Sequence, residues 1–171
     1  DEKGVIHSGG GFGRLIGDEG SGYSIGRKAL NAVSKASDGR GEETLISELL
    51  NAKMNSGSST SIINKVYKEK LDVASVAKIV IEAAEEGDPI AEDILDEEAD
   101  ELVLHIKSLI YKVQTDDLNV ALSGSLIDNK NFYSDLLKQK IKSTLPKIKV
   151  VKPAFPPVSG AIHFAKRLAS T

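Results

Sequence analysis

The 171-residue sequence predicts a helix-rich α/β fold with few short strands, and three observations carry that prediction. Apolar residues recur at helical spacing along most of the chain. Beyond the glycine-dense segment, residues 9–27, that precedes the first helical pattern, two runs, residues 119–122 and 148–151, read as strands. Hydrophobic content of 40% with 27% charged residues is ordinary for a globular fold. With 5% aromatics and no Trp, the core must be built mostly from Ile, Leu, Val and Ala. The length suits one domain, or one lobe of a larger protein.

Charge and composition exclude several functions. A net charge of −3 argues against a nucleic-acid surface, because phosphate binding relies on clustered Lys and Arg. Lys138, Lys140, Lys142, Lys147, Lys149 and Lys152 form a local basic stretch, read as a solvated helix face followed by a strand. No cysteine is present, which excludes disulfides and thiolate metal sites within this chain and suits a cytoplasmic location. No apolar run approaches the roughly 18 residues of a membrane span. The start at Asp1-Glu2-Lys3, without Met, is consistent with a piece of a longer protein.

Taken in order, residues 4–8 carry the apolar pair Val5 and Ile6 and read as the second arm of a hairpin leading into the glycine-rich loop. Ile25, Ala29, Leu30, Val33 and Ala36 mark a first helix from Ser21 to about Ala36, ended by Asp38-Gly39-Arg40-Gly41. A second helix is expected over residues 42–53, burying Leu45, Ile46, Leu49 and Leu50. Residues 55–61 (NSGSSTS) read as a loop and residues 62–68 as a short helix. Asp72 is placed to cap a helix carrying Val76, Ala77, Val80, Ile81 and Ala84, and Gly87 ends it.

Asp88-Pro89 then starts the longest helix, since Asp is a favoured N-cap and Pro is tolerated at the first helical position. Ile90, Ile94, Leu95, Leu102, Ile106, Leu109, Ile110 and Val113 mark its apolar face. Glu92, Asp93, Asp96, Glu97, Glu98, Asp100 and Glu101 suit a wet outer face near the positive end of the helix dipole. His105 in that helix reads as packed or surface, not catalytic. Residues 119–122 are expected to form a short buried strand, running through Ser123-Gly124-Ser125 towards a helix over residues 131–143. Strand, small-residue turn and helix is an order in which backbone N–H groups can face a nucleotide. Residues 148–151 form a second strand, Pro153, Pro156 and Pro157 impose an extended connection, and a last helix over residues 160–169 is expected to bury Ile162, Ala165 and Leu168.

The glycine-dense segment has two readings. It is either a plain hairpin loop or a backbone shaped for close approach to a small polar ligand. Asp18 and Glu19, just before Ser21, either cap the free N–H groups of the first helix or turn their oxygens towards ligand hydroxyls.

Gly11, Phe12, Gly13, then Gly17, Asp18, Glu19, Gly20, Ser21, Tyr23, Ile25 and Gly26 resemble the GGWGxxxGDEGSxYxIG segment of the N-acetylglucosamine kinases. Those enzymes are similar to the BadF/BadG/BcrA/BcrD-type ATPases, within the sugar kinase, actin and Hsp70 superfold. Further counterparts follow in the same order at Glu85 to Pro89, Val120 to Ser125 and Pro157 to Ala161. The resemblance implies that residues 1–171 are the single helix-rich C-terminal lobe of a ribonuclease-H-like, actin-like ATPase fold, with the N-terminal lobe absent from this chain.

The resemblance further implies that Gly11, Phe12, Gly13 and Asp18 contact an amino sugar, with Asp18 accepting hydrogen bonds from ring hydroxyls. Gly124 and Ser125 resemble the adenosine-binding turn, and Asn64 is implied to approach the nucleotide. Phe12 stands where Trp is usual, and Ser123-Gly124-Ser125 replaces a more common Gly-Gly pair. The implied activity is ATP-dependent phosphorylation of N-acetylglucosamine or a similar amino sugar, with ATP and Mg²⁺ as cofactors, in a cytoplasmic protein that could form a homodimer. Phosphoryl transfer needs a phosphate cradle, Mg²⁺ and a group that accepts the hydroxyl proton. In the family those parts precede the point where this chain begins, so the chain alone is expected to be inactive, without a catalytic residue or metal ligand of its own. Two alternatives are an activator ATPase of an acyl-CoA dehydratase or reductase, and a non-catalytic ligand-sensing module.

Overall fold

The computed structural model describes residues 6–54 and 59–169. Among the described residues, seven helices and two strands appear in the order α1 (Gly22–Ser37), α2 (Leu45–Met54), α3 (Ser59–Tyr67), α4 (Ala77–Glu85), α5 (Pro89–Val113), β1 (Asn119–Ala121), α6 (Phe132–Thr144), β2 (Lys149–Val151) and α7 (Pro157–Ala169). A 3₁₀ turn, Val73–Val76, leads into α4, and Asp72 caps it by accepting from the Ala74 N–H.

The long helix α5 is the spine. Its Ala91, Ile94, Leu95, Ala99, Val103 and Ile106 pack into one core with Ile25, Ala29 and Val33 of α1, Ile79, Val80 and Ala83 of α4, and Tyr133, Leu137 and Ile141 of α6. Gly26 allows α1 to lie directly on the 3₁₀ turn, because a β-carbon there would sit 2.0 Å from the Val73 carbonyl oxygen.

Asp88 begins α5 as expected: its side chain accepts from the Ala91 N–H at 2.7 Å, with Pro89 in the first helical position. The same carboxylate accepts from the Leu45 N–H at 2.6 Å and from the Thr44 hydroxyl at 3.0 Å. This explains why α2 starts at Leu45, later than the helical pattern suggests: Thr44 and Asp88 together define its end. In the other direction α3 starts at Ser59, before the expected Ile62. Part of the expected 55–61 loop and the Val5 half of the expected hairpin arm lie outside the described residues, and Ile6 to Ser8 form no strand.

β1 and β2 pair in parallel, with Val120 opposite Val150. The expected buried strand is not buried: Asn119 and Ala121 are exposed and only Val120 is partly covered, because a two-stranded sheet leaves both edges and one face open. A cavity of about 630 Å³ lies beside it, lined by Leu122, Ile127, Ile141, Ile148 and Val150 among others. α7 departs further from expectation. Ile162, Ala165 and Leu168 are all exposed, because the extended segment containing Pro153 and Pro156 carries the helix away from the core. The basic stretch is largely neutralised: Lys140 pairs with Asp96 and Asp100 at 2.8 and 2.7 Å, Lys147 with Asp116, and Lys149 with Asp117.

Candidate functional site

The glycine-dense segment is a tight loop ending at the α1 N-terminus. Gly13 accepts from the Ile16 and Gly17 N–H groups, at 3.1 and 2.9 Å, which closes a small turn whose Leu15 and Ile16 side chains are exposed. Gly11 and Gly13 both have positive φ, and Phe12 between them is 73% exposed. Arg14 lies over the Tyr23 ring at 5.8 Å, a cation–π contact that folds the turn back towards α1.

Asp18 reaches the cap of α1 only through Ser21. Its Oδ2 accepts from the Ser21 hydroxyl at 2.8 Å, and Ser21 in turn caps α1 by accepting from the Ser24 N–H at 3.1 Å. Asp18 also lines a cavity of about 320 Å³ with Arg14, Gly17, Glu19, Tyr23 and Arg27. Two guanidinium groups, two carboxylates and a phenol give this cavity both donors and acceptors beside the apolar Leu15 and Ile16, a lining suited to a polyhydroxylated ligand.

A second cavity, of about 300 Å³, is lined by Glu19, Gly20, Ser21, Gly22, Leu102 and the turn Ser123-Gly124-Ser125. The Gly124 carbonyl accepts from the Ile127 and Asp128 N–H groups, and its own N–H donates to Asp128 at 3.1 Å. Space beside Gly124 is open. The α6 N-terminus is not available to a phosphate, since Ser134 N–H is capped by Asn131 and Phe132 N–H donates to Glu85. Glu19 lines both cavities, so the structure brings Asp18 and the Gly124–Ser125 turn to neighbouring positions. Gly11, Phe12 and Gly13 line neither cavity, and neither does Asn64, which sits half-buried on α3.

The sequence reading missed the buried polar group beneath this loop. Glu98, assigned to a wet outer face, is 1% exposed. Its Oε2 accepts from the Gly20 N–H at 2.6 Å, and its Oε1 accepts from the Ser24 hydroxyl at 2.7 Å and lies 2.8 Å from Lys28 Nζ. Tyr133, fully buried on α6, donates its hydroxyl to the Gly20 carbonyl at 3.0 Å. Burial, reinforced by the Glu98 charge, pushes the Tyr133 phenol well above its ordinary pKa. Burial alone would lower the Lys28 pKa, but hydrogen bonds and charge from Glu97 and Glu98 outweigh it and raise the value. One signal pointed to Glu98: it stands four residues after Ile94 and four before Leu102, on the apolar stripe itself. His105 packs under the backbone of Gly10, and its Nε2 lies 3.9 Å from Glu19.

Among the described residues, no group of three or more His, Asp or Glu side chains could hold a metal ion, and no helix is long and apolar enough to cross a membrane.

The architecture is the helix-rich α/β fold of the actin-like ATPases. The chain belongs to the BadF/BadG/BcrA/BcrD ATPase family, which it matches over residues 2–165. It is 33% identical, over 162 residues, to an N-acetylmuramic acid/N-acetylglucosamine kinase from Clostridium acetobutylicum, covering 92% of this chain and 53% of that protein. It is 32% identical, over 172 residues, to an N-acetyl-D-glucosamine kinase from Dictyostelium discoideum, covering 96% and 54%. A crystal structure of a candidate N-acetylglucosamine kinase from Chromobacterium violaceum superposes with a TM-score of 0.72 at 23% identity, over 94% of this chain and 52% of that one, and supports the fold alone. The chain spans about half the length of the curated relatives it matches.

Proposed function

We propose that the protein carrying this chain is an ATP-dependent amino-sugar kinase, and that this chain is its C-terminal, sugar- and nucleotide-binding lobe. The observation that carries the reading is the pair of neighbouring cavities joined at Glu19, one lined by Asp18 and the other by Gly124 and Ser125. Phosphoryl transfer requires an acceptor hydroxyl and a nucleotide to meet, and binding surfaces for both lie at one end of α1. Two relatives that match this chain at about a third of the aligned positions are named as kinases of N-acetylglucosamine, one of them also of N-acetylmuramic acid.

In this reading Asp18 Oδ2 stays with Ser21 while Oδ1 accepts from a sugar hydroxyl. Gly11, Phe12 and Gly13 close over the sugar from the loop above. Gly124 and Ser125 border the nucleoside, with Asn64 approaching it from α3. The base that takes the hydroxyl proton, the phosphate loops and the Mg²⁺ ligands come from the half of the protein that this chain does not span. The isolated chain therefore binds ligand without turning it over. A cytoplasmic location and a homodimer belong to the same proposal.

The test is ADP release by the intact protein with N-acetylglucosamine, N-acetylmuramic acid, glucosamine or no sugar. Sugar-dependent release, lost in Asp18→Ala, is the expected result. Release indifferent to every sugar overturns the proposal in favour of an activator ATPase, and nucleotide binding with no release favours a non-catalytic module.

A further inference from the structure

We infer that Glu98 and Tyr133 are positioning residues for the Asp18 carboxylate, acting by gripping the peptide groups of Gly20 from opposite sides. The argument starts from the short unit between Asp18 and Ser21. The Ser21 N–H donates to the Asp18 carbonyl at 3.1 Å and the Ser21 hydroxyl donates to Asp18 Oδ2 at 2.8 Å, so the direction of the carboxylate follows the orientation of this turn. Gly20 is the hinge of the turn. Its φ is +78°, and its α-carbon presses on Leu102, where an added β-carbon would meet the side chain at 2.3 Å.

Both polar groups flanking Gly20 are taken by distant helices. Glu98 of α5 accepts from its N–H, and Tyr133 of α6 donates to its carbonyl. Glu98 also accepts from Ser24 in the first turn of α1, so one carboxylate ties the loop to the helix that follows it. Lys28 supplies the countercharge that lets an ionised group remain in the core. Glu98, the buried partner of this ion pair, adds little as a stabiliser, because an apolar side chain of similar volume is often as good or better there. What an apolar side chain cannot supply is direction, an acceptor aimed at one N–H.

That difference makes the inference testable, and it rests on the proposed function only in taking Asp18 as the group that meets a ligand. Glu98→Met keeps the volume and removes both acceptors, and Glu98→Gln keeps one. In the intact protein, hydrogen exchange is followed by NMR at the Gly20 and Ser24 amides and across α4, alongside KM for N-acetylglucosamine and for ATP.

For Glu98→Met we expect Gly20 exchange and the sugar KM to rise by about tenfold, equivalent to one lost hydrogen bond, with α4 protection unchanged. Glu98→Gln is expected to fall between Met and the unmodified protein. Unchanged exchange at Gly20 in both variants overturns the inference. So does a parallel rise in both KM values with faster exchange throughout α4, since that describes general loosening. If the unmodified protein phosphorylates no amino sugar, the proposed function fails, and exchange at Gly20 and Ser24 alone decides the clamp.

Discussion

Two buried carboxylates on the same helix do different work. Asp88 stands at the start of α5 and Glu98 in its middle; both are almost wholly enclosed and both collect several donors. Asp88 needs no cation, because its donors are the Ala91 and Leu45 N–H groups and the Thr44 hydroxyl, where the ends of α5 and α2 present unsatisfied N–H groups and a favourable dipole. Glu98 has no helix terminus on its own element to lean on. It is held by Lys28 and spends its oxygens on a loop and on Ser24. The contrast teaches that burial alone does not assign a role: Asp88 joins two helices of the scaffold, whereas Glu98 joins the scaffold to the loop that carries Asp18.

The sharpest way to break this contrast is at Asp88. Asp88→Ala leaves three buried or half-buried donors unpartnered and removes a cap, and should lower stability in a urea titration by about 3 kcal/mol. The sugar KM of whatever fraction stays folded should be unchanged, and a selective rise in that KM would erase the distinction. Gly20→Ala asks a β-carbon to occupy the left-handed region against Leu102. It should lower stability by about 2 kcal/mol and carry the ligand defect that Asp88→Ala lacks.

Tyr133→Phe removes one hydrogen bond and should lower stability by about 1 kcal/mol at neutral pH. It also carries a pH signature. The phenol is held protonated in the fold above its ordinary value of 10.0, so the stability it contributes is fully present below pH 10 and is lost as pH rises towards the folded value. Lys28 has the same sign, with a raised pKa whose contribution fades only above the ordinary lysine range. Denaturant midpoints from about pH 9 to 11 should therefore fall less steeply in Tyr133→Phe than in the unmodified protein. At the small end, Arg40→Ala breaks a fully exposed pair with Asp38 and should leave the thermal midpoint unchanged, a baseline against which the buried carboxylates are judged.

Much of the scaffold was legible from local rules. Asp88-Pro89 announces the start of α5, and apolar spacing locates α1 and α6 to within a residue or two. These features depend on neighbours within one or two helical turns, which is the range over which sequence carries the information. The ends of α2 and α3 were missed because Asp88, 43 residues from Leu45, sets the first of them. Asp18 and the Gly124–Ser125 turn were visible as motifs, but their placement on neighbouring cavities depends on how α1, α5 and the β1 turn pack.

Sequence by itself determined that this chain is a helix-rich α/β unit with a glycine-dense loop ahead of α1, since glycine, proline, capping residues and hydrophobic period act locally. Only the tertiary structure decided that Glu98 is a core residue, that α7 leaves its apolar side exposed, and that β1 is open to solvent. The physical reason is the same in each case. An amphipathic pattern states that a face differs from its opposite, whereas burial depends on which other surface arrives to cover it, and for Glu98 that surface brought Lys28, Ser24 and Gly20 as partners.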